Sequence, residues 1–139
     1  MEYLIGIDLG TSGTKTVLFD RLGKVIASAT VEYPMYQERN GWAEQDPLDW
    51  WRASCETLQS VIQQGEVDPR DIKGLGISGQ MHGLVMLDKQ GRVLRRSIIW
   101  CDQRTARQCE EITQRVGKER LIQITANPAL TGFTASLII

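Results

Sequence analysis

The chain has 139 residues and a formal net charge of −1, from 16 Lys and Arg against 17 Asp and Glu. This length fits one domain that buries a core without disulfide support. A charge so close to zero provides no basic footprint, so nucleic acid and anionic membrane surfaces are disfavoured as partners.

The sequence shows neither a targeting segment nor a membrane span. Met1 is followed by a polar residue and a short strand-like run, without the basic region and apolar core of a signal peptide. Cys55, Cys101 and Cys109 are odd in number and lack CxxC spacing, which indicates reduced thiols rather than a disulfide framework or a zinc site. We therefore expect a cytoplasmic protein.

The first elements in chain order are a predicted strand, a polar turn and a second strand, over residues 3–20. Asp8 lies near the end of the first strand, before the turn residues Gly10-Thr11-Ser12-Gly13. After a turn at Asp20–Lys24, the β-forming residues of Val25–Val31 predict a third strand. These three strands are expected to form an antiparallel meander.

An irregular surface loop is predicted from Pro34 to Pro47, and a helix follows it. Asp46 and Pro47 supply an N-cap acid and a first-turn proline. Apolar residues then recur at three- and four-residue spacing up to Gln64-Gly65. Trp50 and Trp51 belong to this pattern, and we interpret both as packing residues.

The second half of the sequence mixes short strands with a helix. The predicted strands are Ile72–Ser78, Leu84–Asp88, Val93–Leu94 and Ser97–Trp100, and the predicted helix is about Thr105–Val116, with Ile112 and Val116 facing inward. This order of elements predicts an α/β fold. Residues 131–139 read as a turn and an N-cap that open a new helix, and the chain stops at three aliphatic residues. We therefore expect it to be the leading fragment of a longer protein.

The opening turn is the first candidate site. A carboxylate at the end of a strand can hold Mg²⁺ through water. The backbone N–H groups and hydroxyls of a turn can donate hydrogen bonds to phosphate oxygens, and its glycines permit close approach. The candidates are Asp8 for the metal and Gly10, Thr11, Ser12, Gly13, Thr14 and Lys15 for the phosphates. The turn is not a Walker A loop. A hairpin whose glycines only satisfy turn geometry is an equal alternative.

A second candidate site lies between two predicted strands and consists of Gln80, Met81, His82 and Gly83. Its donors, acceptors and adaptable apolar contact suit a polyhydroxylated ligand. The alternative is a plain loop in which the histidine bonds a carbonyl. Residue types alone leave both open.

A third candidate lies at the predicted strand-to-helix junction and consists of Trp100, Asp102 and Arg104. A tryptophan face beside a carboxylate and a guanidinium can stack on a sugar and bond its hydroxyls. An N-cap aspartate beside a packed tryptophan and an exposed arginine is an equally good interpretation.

Taken in order, these motifs resemble the start of an FGGY-type carbohydrate kinase, and within that family they are most similar to xylulokinases. The resemblance is carried by Ile5–Ser12, by Glu44–Pro47 before Trp50-Trp51, by Ile77–Gly83, by Trp100–Arg104 and by Gly132–Ala135. The stretch from Gln80 to Gly83 is its most specific part.

The resemblance implies a ribonuclease H-like, actin-like ATPase domain, with a mixed sheet, an antiparallel three-strand meander and flanking helices. It implies transfer of the γ-phosphoryl group of MgATP to a ketose, most of all D-xylulose. By the same resemblance Asp8 organises Mg²⁺, the turn faces the ATP phosphates, Met81 and His82 contact the ketose with Gln80 and Gly83 beside them, and Trp100, Asp102 and Arg104 border the sugar pocket.

The resemblance also implies that residues 1–139 are only the leading part of the N-terminal domain. The family's catalytic aspartate and its second domain lie beyond residue 139, so the fragment alone is expected to be inactive. Kinases for ribulose, rhamnulose or glycerol, and a non-catalytic sugar-binding actin-like protein, remain alternatives. Whether the longer protein is a homodimer is left open by the sequence.

Overall fold

A computed structural model describes residues 1–133 of the chain. The elements in chain order are β1 (Tyr3–Leu9), β2 (Gly13–Asp20), β3 (Val25–Glu32), β4 (Glu44–Gln45), α1 (Pro47–Gly65), a 3-10 turn (Pro69–Asp71), β5 (Ile72–Gly79), β6 (Ser97–Ile98), α2 (Ala106–Val116) and α3 (Lys118–Thr125). The helix that the sequence predicts to open after residue 133 lies outside the described residues.

The chain divides into two compact units. The sheet unit comprises residues 1–34 and 47–80, and the helical unit comprises residues 35–46 and the chain from residue 81 onward. Each unit is built from segments that are distant in sequence.

The sheet unit contains a four-stranded mixed sheet in the order β3-β2-β1-β5. β1 pairs with β2 and β2 with β3 in antiparallel register, whereas β1 pairs with β5 in parallel. The predicted antiparallel meander and the α/β class are confirmed. β5 forms one edge of the sheet, where Leu75 and Ile77 are 49% and 72% exposed.

α1 packs on one face of this sheet, chiefly against β2 and β3. Successive side chains of a strand point to opposite faces, and in β2 Thr14, Thr16 and Leu18 are fully buried while Lys15 is exposed. Leu18 belongs to an apolar core that also contains Ile5, Ile7, Ala27, Val61 and Val67. α1 thus covers the face of the sheet to which Thr14, Thr16 and Leu18 point.

A buried pair of hydroxyls joins α1 to the sheet. The Thr16 and Thr57 Oγ1 atoms lie 2.7 Å apart, and the Thr57 hydroxyl also lies 2.8 Å from the carbonyl oxygen of Ala53. Ala53, Thr57 and Val61 are the fully buried residues along α1. The packing role predicted for Trp51 is wrong, because this side chain is 71% exposed on the opposite face of the helix.

The helical unit begins with a short antiparallel pairing of β4 with β6. The loop predicted from Pro34 to Pro47 therefore includes a strand, since Glu44 and Gln45 find partners in Ile98 and Ser97. The strand predicted at Leu84–Asp88 is wrong: it contributes only an isolated bridge from Leu87 to Val93.

A tight turn follows this bridge. The Asp88 carboxylate accepts hydrogen bonds from the backbone N–H groups of Gln90 and Arg92, and the Leu94 N–H donates to the Met86 carbonyl at 3.0 Å. The second candidate site, residues 80–83, therefore directly follows β5, but the strand predicted to come after it is not formed.

α2 begins within one residue of its predicted start and ends at the predicted residue. Its buried residue is Cys109, whereas Ile112 is half-buried and Val116 is 38% exposed. The inward orientation predicted for Val116 is therefore wrong, because the helix ends there and Gly117 turns the chain with φ +87°. α3, which follows directly, was not predicted from the sequence.

We expect Thr57→Val to lower the free energy of unfolding by about 1–3 kcal/mol, because it leaves the buried Thr16 hydroxyl without its partner. In the double variant Thr16→Val/Thr57→Val both hydroxyls are replaced by groups of similar shape, so the loss should be smaller than the sum of the single losses. Urea unfolding of the three variants measures this coupling. Strict additivity would contradict it.

Candidate active site

The Asp8 turn is placed by the pairing of β1 with β5. Because the two strands are parallel, their carboxyl ends meet at one edge, where Asp8 is aligned with Ser78 and Leu9 with Gly79. The chain leaves β5 at Gln80, whose N–H donates to the Leu9 carbonyl at 3.0 Å. The carboxyl ends of parallel strands are a common place for ligands in α/β sheets.

The turn itself is held tightly. The Gly10 N–H donates to the Gly13 carbonyl at 3.0 Å, and a Cβ at Gly13 would lie 2.7 Å from the carbonyl oxygen of Val31. Glycine is therefore required where β2 approaches β3 this closely. On the other side, the Tyr33 hydroxyl donates to the Gly10 carbonyl at 2.5 Å, and the Tyr33 N–H to the Ser12 carbonyl at 3.4 Å.

Tyr33 was not singled out from the sequence, although it anchors both ends of this turn. Its burial raises the pKa of the phenol; the nearby Thr14 hydroxyl opposes this rise and the negative charge of Asp8 adds to it. The hydroxyl therefore stays protonated and remains a donor at neutral pH.

The predicted phosphate-binding residues differ in accessibility. Asp8, Ser12 and Lys15 are exposed, and Gly10, Thr11 and Gly13 are half-buried. Thr14 is fully buried on the face that packs against α1. Its side chain points away from Asp8 and Lys15, because residues 14 and 15 alternate across the sheet. The role of the Thr14 hydroxyl stays a prediction that this position does not favour.

Asp8 and Lys15 border an open concavity of about 440 Å³ on the sheet face opposite α1. Gly6 and Gly76 lie side by side at its floor, and Val17, Phe19 and Ile77 contribute its apolar part. The site therefore offers one carboxylate, one ammonium group, the Ser78 hydroxyl and the backbone of two glycines.

The residues present fit a magnesium ion held largely by water. Asp8 supplies an exposed carboxylate, and within residues 1–133 there is no group of three or more His, Cys, Asp or Glu side chains that could hold a metal. Mg²⁺ keeps several waters and is often bound through one or two carboxylates together with substrate phosphates.

In the helical unit, Asp102 and Arg104 belong to a buried ionic cluster. The Arg104 guanidinium binds both oxygens of the Asp102 carboxylate, with Nε 3.0 Å from Oδ1 and Nη2 2.8 Å from Oδ2, and its Nη1 lies 2.8 Å from Glu44 Oε1. The Ala43 N–H donates to Asp102 Oδ2 at 2.7 Å. The guanidinium carbon is 3.7 Å from the ring centroid of Trp42, a cation–π contact.

Burial raises the pKa of Asp102, but the hydrogen bonds from Arg104 and from the Ala43 backbone outweigh it, so that the pKa lies below its usual range. The side chain is only 1% exposed. With its oxygens engaged inside the protein, Asp102 is suited to positioning Arg104 and the residue 43 backbone. Glu44 and Trp42 were missed as partners because they lie about sixty residues away in sequence.

Met81, His82 and Trp100 are the exposed candidates of this unit; Met81 is 71% and Trp100 44% exposed. Gly83 is half-buried. Gln80 belongs to the sheet unit, where its Oε1 is 3.5 Å from the Thr11 hydroxyl. Beside Trp100, burial raises the pKa of the Cys101 thiol, which keeps it protonated and a poor nucleophile.

Comparison with known proteins decides the family. Residues 3–139 match the N-terminal domain of the FGGY family of carbohydrate kinases. The chain belongs to this family. It is 47% identical to the xylulose kinase of Bacillus subtilis over 134 residues, which are 96% of the chain and 27% of that relative. It is 44% identical to the xylulose kinase of Escherichia coli K12 over 131 residues, 94% of the chain and 26% of the relative.

Among solved structures, a xylulose kinase from Brucella ovis superposes with a TM-score of 0.85 at 36% identity, covering 96% of this FGGY chain and 28% of that one. The actin-like fold predicted from the sequence is thereby confirmed. The chain spans about a quarter of the length of the relatives it matches. Within residues 1–133, no helix has the length and apolar character needed to cross a membrane.

We expect Asp102→Asn to lower the free energy of unfolding at pH 7 by about 3 kcal/mol, because it leaves the Arg104 charge without its closest buried partner. The pKa of Asp102 is depressed in the folded state, so its stabilisation is present above the unfolded value and is lost as pH falls from about 4 through the folded value. The difference in free energy of unfolding between Asp102→Asn and the wild type should therefore be smaller at pH 3 than at pH 7.

The matched control is Glu111→Gln, which breaks an exposed ion pair with Arg107 on α2. It should change the stability by no more than about 0.5 kcal/mol. Urea unfolding at pH 7 and pH 3 measures both variants. Equal losses for the two at pH 7 would contradict a structural role for the buried cluster.

Proposed function

We propose that the chain is the leading part of an ATP-dependent ketose kinase, which converts D-xylulose to D-xylulose 5-phosphate. The observation that carries the substrate is the high identity to xylulose kinases over nearly the whole chain. The exposed carboxylate of Asp8 beside Lys15, at the carboxyl ends of parallel strands, is consistent with phosphoryl transfer.

The proposed roles rest on the resemblance to the family, and the exposure of Asp8 and Lys15 supports them. Asp8 would hold Mg²⁺ through water, and the backbone of the turn from Gly10 to Gly13, together with the Lys15 ammonium, would face the phosphates of ATP. MgATP supplies the transferred phosphoryl group, and the protein mainly positions it and neutralises its charge. The hydrogen bond from the Tyr33 hydroxyl to the Gly10 carbonyl holds the turn in place, which suits the positioning of phosphates.

The sugar would be bound by the helical unit. The exposed side chains of Met81, His82 and Trp100 would contact the ketose, the tryptophan by stacking on its C–H face. Asp102 and Arg104 would act by holding the segment that carries Trp100, since their charged groups bond each other and Glu44.

We further propose that the rest of the N-terminal domain, a second domain and the base that activates the sugar hydroxyl belong to the longer gene product. The proposal is supported by the fact that the chain spans 27% of the length of the Bacillus subtilis xylulose kinase. The cytoplasm is the proposed location, where ATP and free ketoses are available.

A substrate panel tests the function. The full-length gene product containing this chain should phosphorylate D-xylulose with a higher kcat/KM than L-ribulose, L-rhamnulose or glycerol, as measured by ADP release. Asp8→Asn should abolish turnover, because the residue proposed to hold the metal loses its charge. Preference for another sugar would overturn the substrate, and ketose binding without ADP release would indicate a sugar-binding protein instead.

The panel has an internal control in the 139-residue chain on its own. It should show no measurable turnover, because it would lack the base and half of the cleft. Turnover by the isolated 139-residue chain that disappears in its Asp8→Asn variant would contradict the proposal that the base and the second domain lie outside this chain.

His82→Ala in the full-length protein separates sugar binding from ATP chemistry. We expect the KM for the ketose to rise about tenfold or more, since a hydrogen bond to a sugar hydroxyl is lost. Basal ATP hydrolysis without sugar should stay within about twofold, because His82 belongs to a different unit from Asp8. An equal loss of both activities would indicate a structural histidine.

A further inference from the structure

His82 has an unusual backbone for a residue with a side chain. Its φ is +71°, in the left-handed region, whereas the neighbouring Gly83 is not among the glycines with positive φ. Histidine is one of the few residues found there, and such conformations persist where the surroundings hold them. A neighbouring group is therefore expected to stabilise this backbone conformation of His82.

The ring of Phe133 packs against His82. The ring centroids lie 4.5 Å apart with an interplanar angle of 31°. Both residues are exposed, Phe133 by 41%, so the two rings form a pair at the surface with room for a ligand beside them. A contact with one ring can fix the rotation of the imidazole while leaving its nitrogen atoms accessible.

Phe133 lies in a turn, residues 130–133, that contacts the segment containing Trp100. Gly132 is buried with φ +72°, and a Cβ there would lie 1.9 Å from the carbonyl oxygen of Trp100. The Thr131 hydroxyl donates to the Gln103 side-chain oxygen at 3.1 Å, and the Phe133 N–H to the Leu130 carbonyl at 3.3 Å. No side chain other than hydrogen fits at Gly132.

We propose that Phe133 is a positioning residue for His82, and that the 130–133 turn couples His82 to Trp100 and so sets sugar recognition. This inference rests on the proposed ketose site. A sugar hydroxyl is discriminated by a donor or acceptor held in one place, and a freely turning imidazole would bind several epimers about equally. The turn supplies the constraint from outside the loop that carries His82.

The test uses the full-length gene product with Phe133→Leu, Phe133→Tyr and, as a matched control, Trp51→Leu, which removes an aromatic ring 71% exposed on α1. For Phe133→Leu we expect the ketose KM to rise about two- to twelvefold, the range that aromatic pair energies imply. The KM for ATP should be unchanged, Phe133→Tyr should restore wild-type values, and Trp51→Leu should have no effect. An unchanged ketose KM, or equal increases for ketose and ATP, would overturn the proposal.

A spectroscopic readout is independent of activity. In the folded protein the ring current of Phe133 should displace the His82 imidazole proton signals upfield, and Phe133→Leu should remove this displacement; His82→Gln identifies the signals. A wild-type His82 signal at the position of an unstructured histidine would overturn the proposal even if Phe133→Leu does not fold. If no ketose is phosphorylated, the proposed function fails while the displacement still reports on the contact.

Discussion

The candidate phosphate site depends on the position of β1 in the sheet. β1 pairs with the antiparallel β2 on one side and with the parallel β5 on the other. The first pairing forces a tight turn directly after Asp8, and the second brings the end of a distant strand to the same place. Without the parallel pairing, Gln80 would have no reason to lie near Thr11, and the turn would be an ordinary hairpin.

The helical unit uses charge where the sheet unit uses apolar packing. Its segments 41–46 and 97–104 are joined by a two-residue ladder, by backbone bonds from Ile99 to Ala43 and from Gln103 to Gly41, and by the bonds of Asp102 and Arg104 to Ala43 and Glu44. The buried ion cluster therefore reinforces this backbone pairing with charged hydrogen bonds. The proposed sugar-binding side chains are therefore displayed on a scaffold whose stability is partly electrostatic.

Local patterns in the sequence were sufficient for much of the fold. β1 to β3 follow from their β-forming residues, the start of α1 from Asp46 and Pro47, and the extent of α2 from residue spacing; the motif around Asp8 was found because acid, glycine and hydroxyl groups are adjacent in the chain. Residues whose roles depend on distant partners could not be found this way. Tyr33 carries no local signal, and the stretches that contain Glu44 and Phe133 indicated the family but not the partners of these two side chains. The exposure of Trp51 likewise depends on which face of α1 meets the sheet.

The edge position of β5 has a practical consequence for anyone who produces this chain by itself. Its Leu75 and Ile77 are exposed, and the outer row of backbone groups of an edge strand can pair with a strand of another molecule. Its three glycines, Gly74, Gly76 and Gly79, add no charge or bulk that would block such pairing. Self-association at high concentration is thus a property that this topology favours.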